Sequence, residues 1–133
     1  KRLGAHHYID STADVPVAEA LQALGGARTV LATAGNSPAI SATVDGLTPR
    51  GELVIIGADP SPMSTTPAQL LFSGRVVRGH PSGTSRDVED TMAFSVLHGI
   101  RPMTETVPLA HADEAFQKML SGAARFRMVL TPG

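Results

Sequence analysis

Residues 50–60 read RGELVIIGADP, and the fold turns on them. Leu53, Val54, Ile55 and Ile56 form an unbroken apolar run, without the alternation of a half-buried strand. Such a run between Gly51 and Gly57 is expected of a strand covered on both faces, as in parallel sheets. Burying each of these side chains contributes about 1.5–3 kcal/mol, so the run is the natural centre of a core. Gly57 ends it, and backbone without a Cβ lets a ligand or another segment come close. Ligands in open α/β sheets collect outside the carboxyl ends of the strands. Gly57 and Ala58 are therefore the first place to expect a site. The competing reading is a core strand that ends in an ordinary turn.

Working outward, residues 29–34 (TVLATA) read as a second strand closed by Gly35, and residues 75–78 (RVVR) as a third. Between them, Ser37-Pro38 opens a helix whose apolar face is Ala39, Ile40, Thr43, Val44 and Leu47, stopped by Pro49 and Gly51. Thr66-Pro67 opens a short helix carrying Leu70, Leu71 and Phe72 and ended by Gly74. Upstream, Lys1, Arg2 and Leu3 read as a basic helix end closed by Gly4. His7, Tyr8 and Ile9 make a short strand candidate. Val17, Ala20, Leu21 and Leu24 then repeat at helical spacing, with Thr12 or Asp14 able to cap the start. Downstream, Thr84 or Ser85 caps a longer helix whose buried side is expected to be Val88, Met92, Val96 and Ile100. Residues 105–109 are extended around Pro108. Ala112, Ala115, Phe116, Met119 and Leu120 describe a last amphipathic helix, and residues 127–130 (RMVL) a last strand. Strands alternating with helices over most of the length predict an α/β fold with a parallel sheet.

With 133 residues there is enough chain for a real core. The net charge is −1 and the eleven Lys and Arg are scattered, which argues against an electrostatic nucleic-acid footprint. Tryptophan is absent and aromatics are few, so base-stacking platforms are not expected either. No apolar run approaches the roughly 20 residues of a membrane span. The lack of cysteine excludes disulfides and thiolate ligands and fits a reducing, cytoplasmic setting.

Few side chains stand in a spacing that carries chemistry. His6 and His7 are adjacent, so on a strand they face opposite ways and cannot chelate one ion together. His80, His98 and His111 form no metal-ligand spacing, and solvated or capping roles fit them better. Gly35-Asn36-Ser37-Pro38-Ala39 has the strand-to-helix context of a nucleophile elbow, but Ala39 breaks the pattern. Pro38 also lacks the N–H that the residue after the nucleophile offers an oxyanion, so Ser37 reads as a helix cap. A phosphate-cradling G-x-G-x-x-G is absent. Gly79-His80-Pro81-Ser82-Gly83 is a turn where a second ligand-facing loop would belong, and Arg127 could offer its planar fork to a phosphate.

The order of these pieces is more telling than any one of them. LGAHHYIDS, a helix, TVLATAGN, a helix, GELVIIGADP, RVVRGHPSG and finally PLAHADEAFQKMLSGAARFRMVL together resemble the medium-chain, zinc-type alcohol dehydrogenases. The resemblance runs over nearly all of the chain. It implies the second half of a Rossmann-like doubly wound parallel sheet over residues 1–100, then a C-terminal return segment of the catalytic domain over 101–133. In the sheet order 3-2-1-4-5-6, residues 7–9 would be strand three and 29–34 strand four. It implies a parent that transfers hydride between an alcohol or aldehyde and NAD or NADP, with zinc as Lewis acid. It places Ile56, Gly57 and Ala58 along the nicotinamide and His80 and Ser82 as main-chain partners of the carboxamide. Thr33, Ala34 and Asn36 would lie near the adenosine half, and Arg127 on the pyrophosphate. The zinc ligands, the G-H-E motif and the phosphate loop would precede Lys1, so no catalytic or metal-binding residue is expected here. A piece without them should fray over residues 1–26 and reduce no cofactor by itself. The resemblance also implies a homodimer or homotetramer, with Leu70, Leu71 and Phe72 near the shared edge, and no nucleic-acid or membrane partner.

Two other readings remain open on the residues alone. One is a nucleotide-binding module without catalysis. The other is an α/β serine hydrolase using Ser37, His111 and an acid such as Asp59.

Overall fold

The apolar run lies in the middle strand of a three-stranded parallel sheet, as its lack of alternation requires. The strands are β1 (Ala27–Ala32), β2 (Leu47–Ile55) and β3 (Val76–Gly79), in the order β1-β2-β3. Leu53 pairs with Val30 on one side and Val77 on the other. Leu53 is 0% and Val54 5% exposed, and because neighbours in a strand point to opposite faces, both faces are covered there. At Ile56 the cover ends, with 47% of the residue open. The computed structural model describes residues 3–81 and 83–132 and forms two compact units, Lys1–Ser82 and Gly83–Gly133.

In the first unit, α1 (Val17–Ala23) follows Pro16. Neither Thr12 nor Asp14 caps it; the Thr12 amide and hydroxyl are engaged by Asp10 instead. After β1, α2 (Ser37–Ser41) is only one and a half turns long and gives way to a 3-10 turn, Val44–Gly46. Its cap is Asn36, whose side-chain oxygen accepts from the Ala39 N–H, so the expected capping role of Ser37 belongs to its neighbour. Ile40 and Val44 from this segment join Leu47 and Leu53 to make the buried cluster.

Strand β2 begins earlier than the Pro49 and Gly51 signals predict. Its first part is a bulge: Ala27 pairs with Leu47 but Thr29 with Glu52, so the extra residues of β2 loop out. Pro49 is tolerated there because a bulge leaves a ladder donor unused. Arg50, also in the bulge, adopts a left-handed φ of 60°. The amino ends of the strands are tied together by polar groups. The Arg75 guanidinium donates to Asp45 Oδ1 at 2.9 Å and to the Leu47 carbonyl at 3.0 Å, while Gln22 donates to the Asp45 carbonyl at 2.8 Å. Helix α3 (Pro67–Leu71) starts with a reciprocal Thr66–Gln69 capping box, leaving Leu71 and Phe72 exposed.

Residues 7–9 form no strand. His7, Tyr8 and Ile9 have no ladder partner among the described residues, and a lone extended segment has nothing to bond to. Gly4 does have the left-handed φ expected of it, at 94°, whereas Lys1, Arg2 and Ser82 lie outside the described residues.

The second unit begins with α4 (Ser85–Leu97), capped by Thr84 with Asp87 returning the bond. Its end is closed by Gly99 at φ 63°, with the Ile100 N–H reaching back to the Ser95 carbonyl at 2.8 Å. The expected buried side is not buried: Val88, Met92, Val96 and Ile100 are all more than half exposed. Helical spacing dictates a stripe, but burial needs a facing surface. In this unit the packing partners are β4 (Thr104–Pro108), α5 (Ala112–Leu120) and β5 (Arg127–Thr131). β4 and β5 pair in parallel, Thr104 opposite Arg127. On α5 only Ala115 is buried; Phe116, Met119 and Leu120 stay about half open.

Candidate functional site

Because β1, β2 and β3 are parallel, their carboxyl ends emerge on one edge of the sheet. That edge collects Thr33, Ala34 and Asn36 after β1, Ile56, Gly57 and Ala58 after β2, and His80 after β3. Seven of the nine expected residues are thus brought together by topology alone.

The two loops after β1 and β2 meet backbone to backbone. The Ile56 and Gly57 N–H groups both donate to the Ala32 carbonyl, each at 2.9 Å. A Cβ on Gly57 would sit 2.6 Å from the Ala34 carbonyl oxygen, and one on Gly35 would collide with the Ala58 carbonyl. Glycine at both positions is therefore needed for the loops to close on each other. Ile56 is an apolar residue left open where the strand ends, flanked by the exposed residues Ala34 and Ala58. The His80 N–H donates to the Ile55 carbonyl at 2.9 Å, extending the ladder by one bond. This leaves the His80 carbonyl, not its N–H, to face a ligand. Asn36 spends its side-chain oxygen on the helix cap, so only its amide group remains to offer.

Asp59 lies just beyond this edge and organises it. Its Oδ2 accepts the Ser37 N–H at 2.6 Å and its Oδ1 the Ser61 N–H at 2.9 Å. The Ser61 amide first and the Ser37 amide second hold its carboxyl down at about 2. The sequence signal for half of this was present, since aspartate two residues before a free N–H is a turn former. The bond to Ser37 comes from residues far away in sequence and left no local trace.

These contacts dispose of the hydrolase reading. Ser37 is 5% exposed, and its hydroxyl donates to the Ser61 carbonyl at 2.8 Å. The acid proposed for it, Asp59, accepts from the main-chain N–H groups of Ser37 and Ser61 instead. His111 instead pairs with Glu114, at 3.1 Å.

Arg127 belongs to the second unit, where it is the first residue of β5 and exposed. The turn before it is pinned by Glu105, which accepts from the Arg125 N–H at 2.6 Å and pairs with the Lys118 ammonium. Lys118 first, then the Arg125 amide, lowers the Glu105 carboxyl below its usual range. Among the described residues no ion pair holds Arg127 itself. A groove of about 590 Å³ runs along α4, lined by Met92, Val96, Ile100 and Pro102, and contains none of the expected site residues.

Among the described residues no group of three or more His, Cys, Asp or Glu is placed to bind an ion. The residues do not fit the zinc that the resemblance implies. For a nicotinamide cofactor they fit part of a site, with an apolar wall and main-chain groups at a parallel strand edge. No helix is long and apolar enough to cross a membrane among the described residues.

Known proteins share both the sequence and the fold of this chain. "Alcohol dehydrogenase patD" of Penicillium expansum is 40% identical over 131 residues, which is 98% of this chain and 38% of that protein. This chain therefore spans little more than a third of the curated relatives it matches. The crystal structure of an alcohol dehydrogenase zinc-binding domain protein from Burkholderia ambifaria superposes with a TM-score of 0.83 at 26% identity, covering 98% of this chain and 38% of that one. The alcohol dehydrogenase of Aeropyrum pernix gives a TM-score of 0.84 at 19% identity, over 98% of this chain and 38% of its own, and so shares the fold. The partial Rossmann-like α/β architecture agrees with both. With residues 1–96 matching the family described as zinc-binding dehydrogenase, this chain belongs to that family.

Proposed function

We propose that this chain forms one side of the cofactor site in an NAD(P)-dependent alcohol dehydrogenase, whose catalytic machinery is completed by other residues of the full encoded polypeptide. The observation that carries the reading is the shared carboxyl edge of β1, β2 and β3, with Ile56 left open and the loops around it locked by Gly35 and Gly57.

NAD or NADP, when bound, supplies the hydride acceptor or donor. The residues here bind and orient it. The main chain of residues 56–58 lines the nicotinamide, with the Ile56 side chain excluding water from one face. His80, through its carbonyl, accepts from the carboxamide, and Ser82 serves the same loop. Thr33, Ala34 and Asn36 border the adenosine half. Arg127 neutralises the pyrophosphate with its planar fork. The substrate class is a small alcohol or aldehyde, as the relatives' names indicate for those proteins. Residues 1–100 form the nucleotide-binding part and 101–133 a segment of the catalytic domain. The family match ending at residue 96 supports that boundary, although the two compact units divide earlier, between Ser82 and Gly83. A cytoplasmic enzyme fits the same reading.

The test is hydride transfer. The full encoded polypeptide, given NAD or NADP and a panel of primary alcohols, should generate reduced cofactor, read by its near-ultraviolet absorbance. Residues 1–133 alone should generate none. Cofactor binding by the full polypeptide without turnover of any alcohol or aldehyde would favour a nucleotide-binding module instead.

A further inference from the structure

Asp59 joins the loop after β1 to the loop after β2. Its carboxylate accepts from Ser37, at the head of α2 after β1, and from Ser61, in the segment after β2. A third bond runs back, from the Ser37 hydroxyl to the Ser61 carbonyl at 2.8 Å. Between these anchors lie the two close backbone approaches, Gly35 against Ala58 and Gly57 against Ala34. The geometry points to Asp59 as a positioning residue: its carboxylate clamps the loop after β1 to the loop after β2 and so fixes the edge that meets the cofactor. Its effect on the cofactor rests on the function proposed above; the clamp does not.

The chemistry demands a carboxylate. Two N–H donors converge on the side chain, one on each oxygen. Asparagine offers one acceptor oxygen and would turn its own NH2 toward the second donor, so one bond must be lost. Charge adds to the effect, because a bond from N–H to an ionised acceptor is roughly twice as strong as a neutral one. The low carboxyl pKa, about 2, keeps Asp59 ionised at neutral pH. The buried cluster of Ile40, Val44, Leu47 and Leu53 is held by apolar packing, and Asp59 is not one of its members. Loss of the clamp should therefore loosen the strand ends and leave the sheet in place. That is the signature of positioning rather than general stability.

The experiment compares wild type, Asp59→Asn and Ser37→Ala in the full encoded polypeptide. Amide exchange is followed by mass spectrometry, and NADH and NADPH affinity by cofactor fluorescence. In Asp59→Asn, exchange over residues 33–41 and 56–61 should speed up about tenfold, with residues 47–55 unchanged within about twofold. Affinity for the cofactor that wild type binds should fall about tenfold. Ser37→Ala, which keeps both bonds to the carboxylate, should show a smaller change in both readouts. Unchanged exchange in the two segments overturns the clamp, as does acceleration spread evenly over the whole sheet. Faster exchange with unaltered cofactor affinity overturns its role at the cofactor edge. A wild type that binds neither NADH nor NADPH contradicts the proposed function, and exchange alone then decides the clamp.

Discussion

Arg127→Ala should weaken cofactor binding by the full encoded polypeptide by about 2–3 kcal/mol, roughly 30- to 150-fold. The side chain is exposed at the start of β5, and no carboxylate among the described residues competes for it. Its position is well determined. β5 is in register with β4 from Thr104 opposite Arg127, and the Arg127 N–H donates to the Met103 carbonyl at 3.2 Å. The Glu105–Lys118 pair and the bond to the Arg125 N–H brace the turn before it. The pairing fixes the backbone that carries the guanidinium, and removing the guanidinium would leave the diphosphate charge without that partner. Arg127→Lys should recover only part of the loss, since an ammonium cannot make two parallel bonds. Equilibrium titration of each variant with NADH and NADPH gives the answer. Equal affinities for wild type and Arg127→Ala would remove this residue from the site.

Leu53→Ala should cost about 2–5 kcal/mol in urea unfolding followed by circular dichroism. Leu53 is fully buried, and it meets Ile40, Val44 and Leu47 in the only cluster of buried apolar residues found among the described residues of the first unit. Domain stabilities are about 5–15 kcal/mol, so one cavity at this point removes a large share of the total. Leu71→Ala is the natural control. Leu71 is 73% exposed, and truncating it should change stability by no more than about 0.5 kcal/mol. Equal effects at the two positions would mean that the sheet is not centred on β2.

How much of this was legible beforehand depended on how local the cause was. The parallel order of β1, β2 and β3 followed from residues 29–34, 53–56 and 75–78 with helices between them, because the crossover rule leaves few alternatives. The capping boxes at Thr66 and Thr84 and the glycine closing α4 are likewise written in adjacent residues. Burial was less legible. Val88, Met92, Val96 and Ile100 have the spacing of a buried stripe, yet a stripe says nothing about whether a facing surface exists. The strand candidate at residues 7–9 failed for a similar reason, since a ladder needs a neighbour. Pro49 and Gly51, read as a stop before β2, sit inside it because a bulge absorbs both.

At the site, the strand-end positions of Ile56, Gly57 and His80 were readable from the ends of apolar runs. The clamp at Asp59 was not, because its two donors come from Ser37 and Ser61 and only the nearer one leaves a pattern. Ser37 shows the reverse case. A motif resembling a nucleophile elbow suggested chemistry, while its hydroxyl is buried and bonded to a carbonyl.

The most direct test of the cofactor edge is its footprint. Amide exchange of the full encoded polypeptide would be measured with and without saturating NADH or NADPH. Bound cofactor should slow exchange in peptides covering residues 33–36, 56–58 and 80, and leave α5 unaffected. Protection confined to other segments, with those three unchanged, would contradict the assignment of this sheet edge to the cofactor.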